Sequence, residues 1–174
     1  GGGYLVEQRD LSILPSAGII TRRGPQRTPG MVVLAHTGRG DIMNTIVEAE
    51  EITDIIPGDV FTGKEATSSR LESASRQILH IAAHGRHQVD NPDLSYIQLE
   101  DGYLYADDLL QKNLDYELVT LSACETGKTI VKKSEELIGL VRGVLFAGAG
   151  SIVVSMWRID DEMTVRLMTH FYRS

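Results

Sequence analysis

Two side chains of this 174-residue chain pair a base with a nucleophile: His84, in H-I-A-A-H-G at 80–85, and Cys124, the single cysteine, in L-S-A-C-E-T-G at 121–127. A thiolate can attack a carbonyl carbon, and an imidazolium can then protonate the leaving amine. Backbone N–H groups aimed at the new oxyanion supply a large electrostatic contribution to such a reaction. Gly85 follows the histidine and lets an N–H approach the substrate with no Cβ in the way. The plainer reading of a lone cysteine after an apolar run is a small buried hydrophobe, and that of a lone histidine is a hydrogen-bonded core residue. Two further histidines, His80 and His87, complete H-x-x-x-H-x-x-H. The segment reads as strand and turn without H-E-x-x-H, so no metal site is expected. His80 shares a strand face with His84 and reads as buried packing; His87 reads as solvated.

The elements that must position these residues alternate along the chain. Met31 to Ala35 is an apolar, β-branched run, and Ile42, Ile46, Ala49, Ile52 and Ile56 then recur at helical spacing until Pro57-Gly58. Val60-Phe61 reads as a short strand and Thr67 to Ser75 as a short helix. Gln77 to Ala83, Leu118 to Ala123 and Ser151 to Trp157 read as three more strands. Leu137, Leu140, Val141, Val144 and Leu145 mark a helix closed by Gly148 and Gly150; Met163, Leu167 and Phe171 mark a last one. Leu11 to Ile20 reads as a short strand or extended arm, and Thr21 to Gly30 as a solvated loop. Short strands alternating with amphipathic helices predict an α/β fold with a mostly parallel sheet flanked by helices. In such sheets reactive groups gather at the carboxyl ends of the strands, and His84 and Cys124 each stand just past one.

Composition narrows the function classes. Seventeen Lys and Arg against 24 Asp and Glu give a net charge of −7, which speaks against direct nucleic-acid or membrane-surface binding. No run approaches the roughly 18 apolar residues that span a bilayer, and no charged-then-apolar signal segment opens the chain. One thiol without a partner fits a reducing compartment, so a cytoplasmic location is expected.

The ordered set of H-I-A-A-H-G at 80–85, S-A-C-E-T-G at 122–127, E-L-I-G-L-V-R at 136–142, F-A-G-A-G at 146–150 and S-M-W-R-I-D-D at 155–161 resembles the CHAT family. LPSAGII at 14–20 and Glu48-Ala49-Glu50-Glu51 are similar to that family's N-terminal elements. CHAT domains are caspase-like cysteine peptidases related to separases, often fused to TPR repeats. The resemblance implies a caspase-like three-layer sandwich over residues 11–174, with residues 1–10 a leader or arm and the whole cut from a longer chain. It implies His84 as general acid and base, Cys124 as nucleophile, and the Gly85 and Cys124 N–H groups as oxyanion hole, with no cofactor. In separase relatives an acidic residue shortly after the tryptophan meets a basic P1 side chain. The matching position is Asp161, with Asp160 beside it and Trp157 and Ser155 completing the substrate-binding set. Arg158 departs from the separase pattern, and capping of the last helix is the competing role for both aspartates. The implied partners are a protein substrate and a regulatory TPR or sensor domain.

Two other functions compete. One is a catalytically latent interaction or scaffold domain. The other is a nucleotide site, because S-A-C-E-T-G-K-T at 122–129 lies one residue from a P-loop. Ser122 in place of the first glycine and a carboxylate at Glu125 speak against that reading.

Overall fold

The apolar runs at 31–35, 77–83 and 118–123 become strands that are buried on both faces. The computed structural model describes residues 27–38, 44–72, 76–86, 88, 90–122, 138–155 and 161–174. In chain order its elements are β1 (Thr28–Ala35), α1 (Asn44–Ile55), β2 (Gly58–Thr62), β3 (Arg76–Ala82), β4 (Gly85–Arg86), β5 (Tyr96–Leu99), β6 (Gly102–Tyr105), α2 (Ala106–Leu109), β7 (Leu118–Ser122), α3 (Ile138–Phe146), β8 (Ser151–Val154) and α4 (Asp161–Arg173). Five strands form one sheet in the order β2-β1-β3-β7-β8, with every neighbouring pair parallel. β4, β5 and β6 form a second, antiparallel sheet.

Side chains alternate across the large sheet with the period of two that a strand imposes. Met31, Val33 and Ala35 of β1 and Ala82 of β3 meet Ala49 and Ile52 of α1 and Met168 and Tyr172 of α4. Val32, Leu34, Leu79, Ile81, Val119 and Leu121 face the other way. They pack with Ile97, Leu99 and Leu104 of the small sheet, Leu109 of α2, and Leu140 and Val144 of α3. The result is the expected α/β sandwich: helices, parallel sheet, and a second layer of helices with the small sheet beside them.

Several details differ from the sequence reading. β1 begins at Thr28, inside the expected loop. Arg27 is half-buried there, its Nε–H donating to the Asp115 carbonyl at 2.6 Å while its guanidinium pairs with the Asp115 carboxylate. The small sheet was not anticipated, because strands of two to four residues carry little periodic signal. The short helix expected at 67–75 is a 3-10 helix over 68–72. α4 is where expected, but it buries Thr164, Val165, Met168, Thr169 and Tyr172, and leaves Met163, Leu167 and Phe171 exposed. The arm at 1–10, the strand expected at 11–20, and residues His87, Cys124, Trp157 and Asp160 lie outside the described residues. Among the described residues no helix is long and apolar enough to cross a membrane.

Candidate active site

The chain leaves the carboxyl ends of β1 and β3 toward opposite faces of the sheet. After β1 it runs to α1 on one face and on to β2. After β3 it runs through the small sheet and α2 on the other face and on to β7. A reversal of this kind opens a crevice at the strand ends. His84 stands at that crevice.

Three elements hold the His84 segment. Its carbonyl accepts a hydrogen bond from the Gln98 N–H of β5 at 2.7 Å, and the preceding Ala83 N–H donates to the Ser122 carbonyl of β7 at 3.3 Å. On the third side lies the segment after β1. The His36 N–H donates to the Ala82 carbonyl at 2.9 Å, extending the β1–β3 ladder by one bond, and Gly38 packs against the His84 ring. His84 is half-buried, with its Nδ1 atom enclosed.

Gly85 is buried and pairs with Ile97. The Gln98-to-His84 bond flanks that pair, so Gly85 and Ile97 are a non-hydrogen-bonded pair of the antiparallel ladder. Its N–H is therefore directed away from β5, as an oxyanion donor requires. β3 and β7 are adjacent and parallel, with Ala82 opposite Ser122. His84 and Cys124 each follow that pair by two residues, Cys124 itself being outside the described segment. Ser155 is half-buried immediately beyond β8, and Asp161 is the first residue of α4.

His80 does not join His84. Its ring is fully buried under α1 and α4, with Nε2 2.9 Å from Glu48 Oε1 and Nδ1 3.0 Å from the Tyr172 hydroxyl. Tyr172 in turn donates to Thr120 Oγ1 at 2.8 Å. With the Tyr172 proton directed to Thr120, the Tyr172 oxygen accepts from His80 Nδ1–H. Burial pushes the Tyr172 phenol up to about 12; the bond to Thr120 works against this and the Glu48 charge adds to it.

The sequence reading missed His36, Gly38, Gln98 and Glu100. His36 is buried with Nε2 3.5 Å from Glu100 Oε2, and among the described residues its Nδ1 has no hydrogen-bond partner. Glu100 is itself tied by its N–H to the Ala66 carbonyl at 3.0 Å. Next to it, Asp101 is desolvated, which raises its carboxyl, but hydrogen bonds from the Ser68 hydroxyl and N–H outweigh this and hold it below the usual range. A signal for His36 existed: it follows the apolar run at 31–35 just as His84 follows the run at 77–83. Among the described residues no three His, Cys, Asp or Glu side chains gather as a metal site.

The chain matches the CHAT domain family model over residues 1–174. No curated protein matches it. Among solved structures it is similar to a Streptococcus pneumonia TIGR4 flavodoxin, with 14% identity and a TM-score of 0.48, over 82% of this chain and 92% of that one.

Proposed function

From the premise that this chain belongs to the CHAT domain family, a caspase-like peptidase family, we propose that it is a cysteine endopeptidase with a His84–Cys124 dyad. The observation that carries the reading is the parallel, in-register pairing of β3 with β7. It supports a common rim for the two residues, since neighbouring strands lie about 4.8 Å apart. In the proposed mechanism the Cys124 thiolate adds to the scissile carbonyl, and the Gly85 and Cys124 N–H groups stabilise the oxyanion. His84 protonates the departing amine, and the acyl-enzyme forms. His84 then takes a proton from water as that water displaces the thiolate.

Residues 11–174 act in this reading as one peptidase domain, cytoplasmic and controlled by an attached or partner domain. Specificity is for a basic P1 residue. Asp161 is its main carboxylate, Asp160 the second, and Trp157 and Ser155 line the approach. A pocket built on a desolvated carboxylate rejects neutral side chains by roughly 2–4 kcal/mol.

Incubation with an arginyl acyloxymethyl ketone should add the acyl-methyl fragment to the intact mass, and Cys124→Ala should abolish the adduct. An unmodified wild-type chain, tested together with its regulatory domain, refutes the peptidase reading. Equal cleavage of a peptide library after Arg and Leu refutes the P1 assignment alone.

A further inference from the structure

The loop after β1 carries a glycine whose missing side chain is filled by the imidazole. Gly38 is buried and has φ +57°, in the left-handed region. A Cβ added there falls 2.9 Å from His84 Nε2 and closer still to Cδ2, a separation real Cβ atoms do not show. The ring can yield only by turning about its own side-chain bonds, because the backbone around it is held by the Gln98, Ser122 and Ile97 contacts. The loop cannot easily yield, because His36 two residues earlier is bonded to Ala82 and packed beside Glu100.

We propose that Gly38 is a positioning residue for His84: its bare backbone is the seat of the imidazole and fixes which ring edge faces the crevice between β1 and β3. Its part in turnover rests on the peptidase reading above; its contact with the ring does not. Gly63 is the natural control. It has a similar positive φ, +52°, but a Cβ added there meets nothing within 4 Å among the described residues. Backbone strain is therefore common to Gly38→Ala and Gly63→Ala, and contact with His84 is unique to the first.

The test uses protein carrying ring-labelled histidine. Gly38→Ala should move the His84 imidazole resonances and their titration midpoint while leaving His80 and His170 in place, and Gly63→Ala should move none of them. In a turnover assay kcat should fall by about 100-fold, the cost of a misplacement near 1 Å, with KM nearly unchanged. The fall in melting temperature caused by Gly38→Ala should shrink by at least half when His84→Ala removes the ring. If Gly38→Ala alone does not fold, recovery of folding in the His84→Ala background supports the seat. Failure to fold in both backgrounds overturns it, as do unchanged His84 resonances in a folded Gly38→Ala. A wild-type chain without turnover removes the peptidase reading only, because the resonances and the double-mutant comparison still decide the seat.

Discussion

Both faces of the parallel sheet bury apolar side chains, but one of them adds a buried polar chain. On the face toward α2, α3 and the small sheet, Leu79, Ile81, Val119 and Leu121 pack in a continuous apolar layer. A deeply buried hydroxyl on this face, that of Tyr116, reaches the Leu71 carbonyl at 3.0 Å. On the face toward α1 and α4, β3 and β7 present His80 and Thr120 at paired positions, and the Glu48–His80–Tyr172–Thr120 chain spans two helices and two strands. Apolar packing is non-directional and tolerates rearrangement at constant volume. A buried polar chain tolerates none, because each group left unpaired keeps its full desolvation cost. Both faces supply apolar cohesion, and on the α1/α4 face the polar chain in addition specifies where the helices sit.

Removing one end of the polar chain is the most severe way to break this contrast. His80→Leu should cost about 3–5 kcal/mol in urea unfolding, since it strands Glu48 in the interior. The double variant Glu48→Met/His80→Leu should be more stable than that single variant; equal or greater damage would mean that shape, not polarity, governs this face. Next in size is Tyr172→Phe, expected to cost about 1–3 kcal/mol by leaving His80 Nδ1 and Thr120 Oγ1 without their partner. On the opposite face the volume-conserving Leu79→Met should cost less than about 1.5 kcal/mol. A larger loss there would erase the distinction between the faces.

The smallest expected effect is in alkaline titration. Burial raises both the Tyr116 and the Tyr172 phenol to about 12 from the ordinary 10. The folded state therefore favours the protonated form of each, and this contribution to stability is complete below pH 10 and lost as pH rises toward 12 and beyond. Absorbance titration near 295 nm should show two late phenols, and Tyr116→Phe and Tyr172→Phe should each remove one. Early ionisation of Tyr172 with the protein still folded would show that water reaches the polar chain.

Much of this was legible locally. The runs at 31–35, 77–83 and 118–123 declared buried strands, and the carboxyl-end rule placed His84 at the rim. The same rule applied to the first run points to His36. The stripe Met163, Leu167 and Phe171 located α4 but not its buried side, because Thr164 and Thr169 lie on that side and count as polar in any periodicity. Nothing local marks Glu48 as buried, because its partner, the His80 ring, lies 32 residues away.

By itself the sequence determined the order of the parallel strands and of α1, α3 and α4, the parallel class of the main sheet, and the ordered motif set that the family model matches. These depend on side-chain periodicity and strand-end chemistry within a few residues of each other. Only the tertiary structure decided that β1 and β3 part company at the crevice, that Gly38 lies under the imidazole, and that His80 belongs to Glu48 and Tyr172 rather than to His84. Those contacts join residues 32 and 92 positions apart in the polar chain, and crossovers through the sheet bring them together. No local pattern encodes which side chain will fill the space that a distant glycine leaves open.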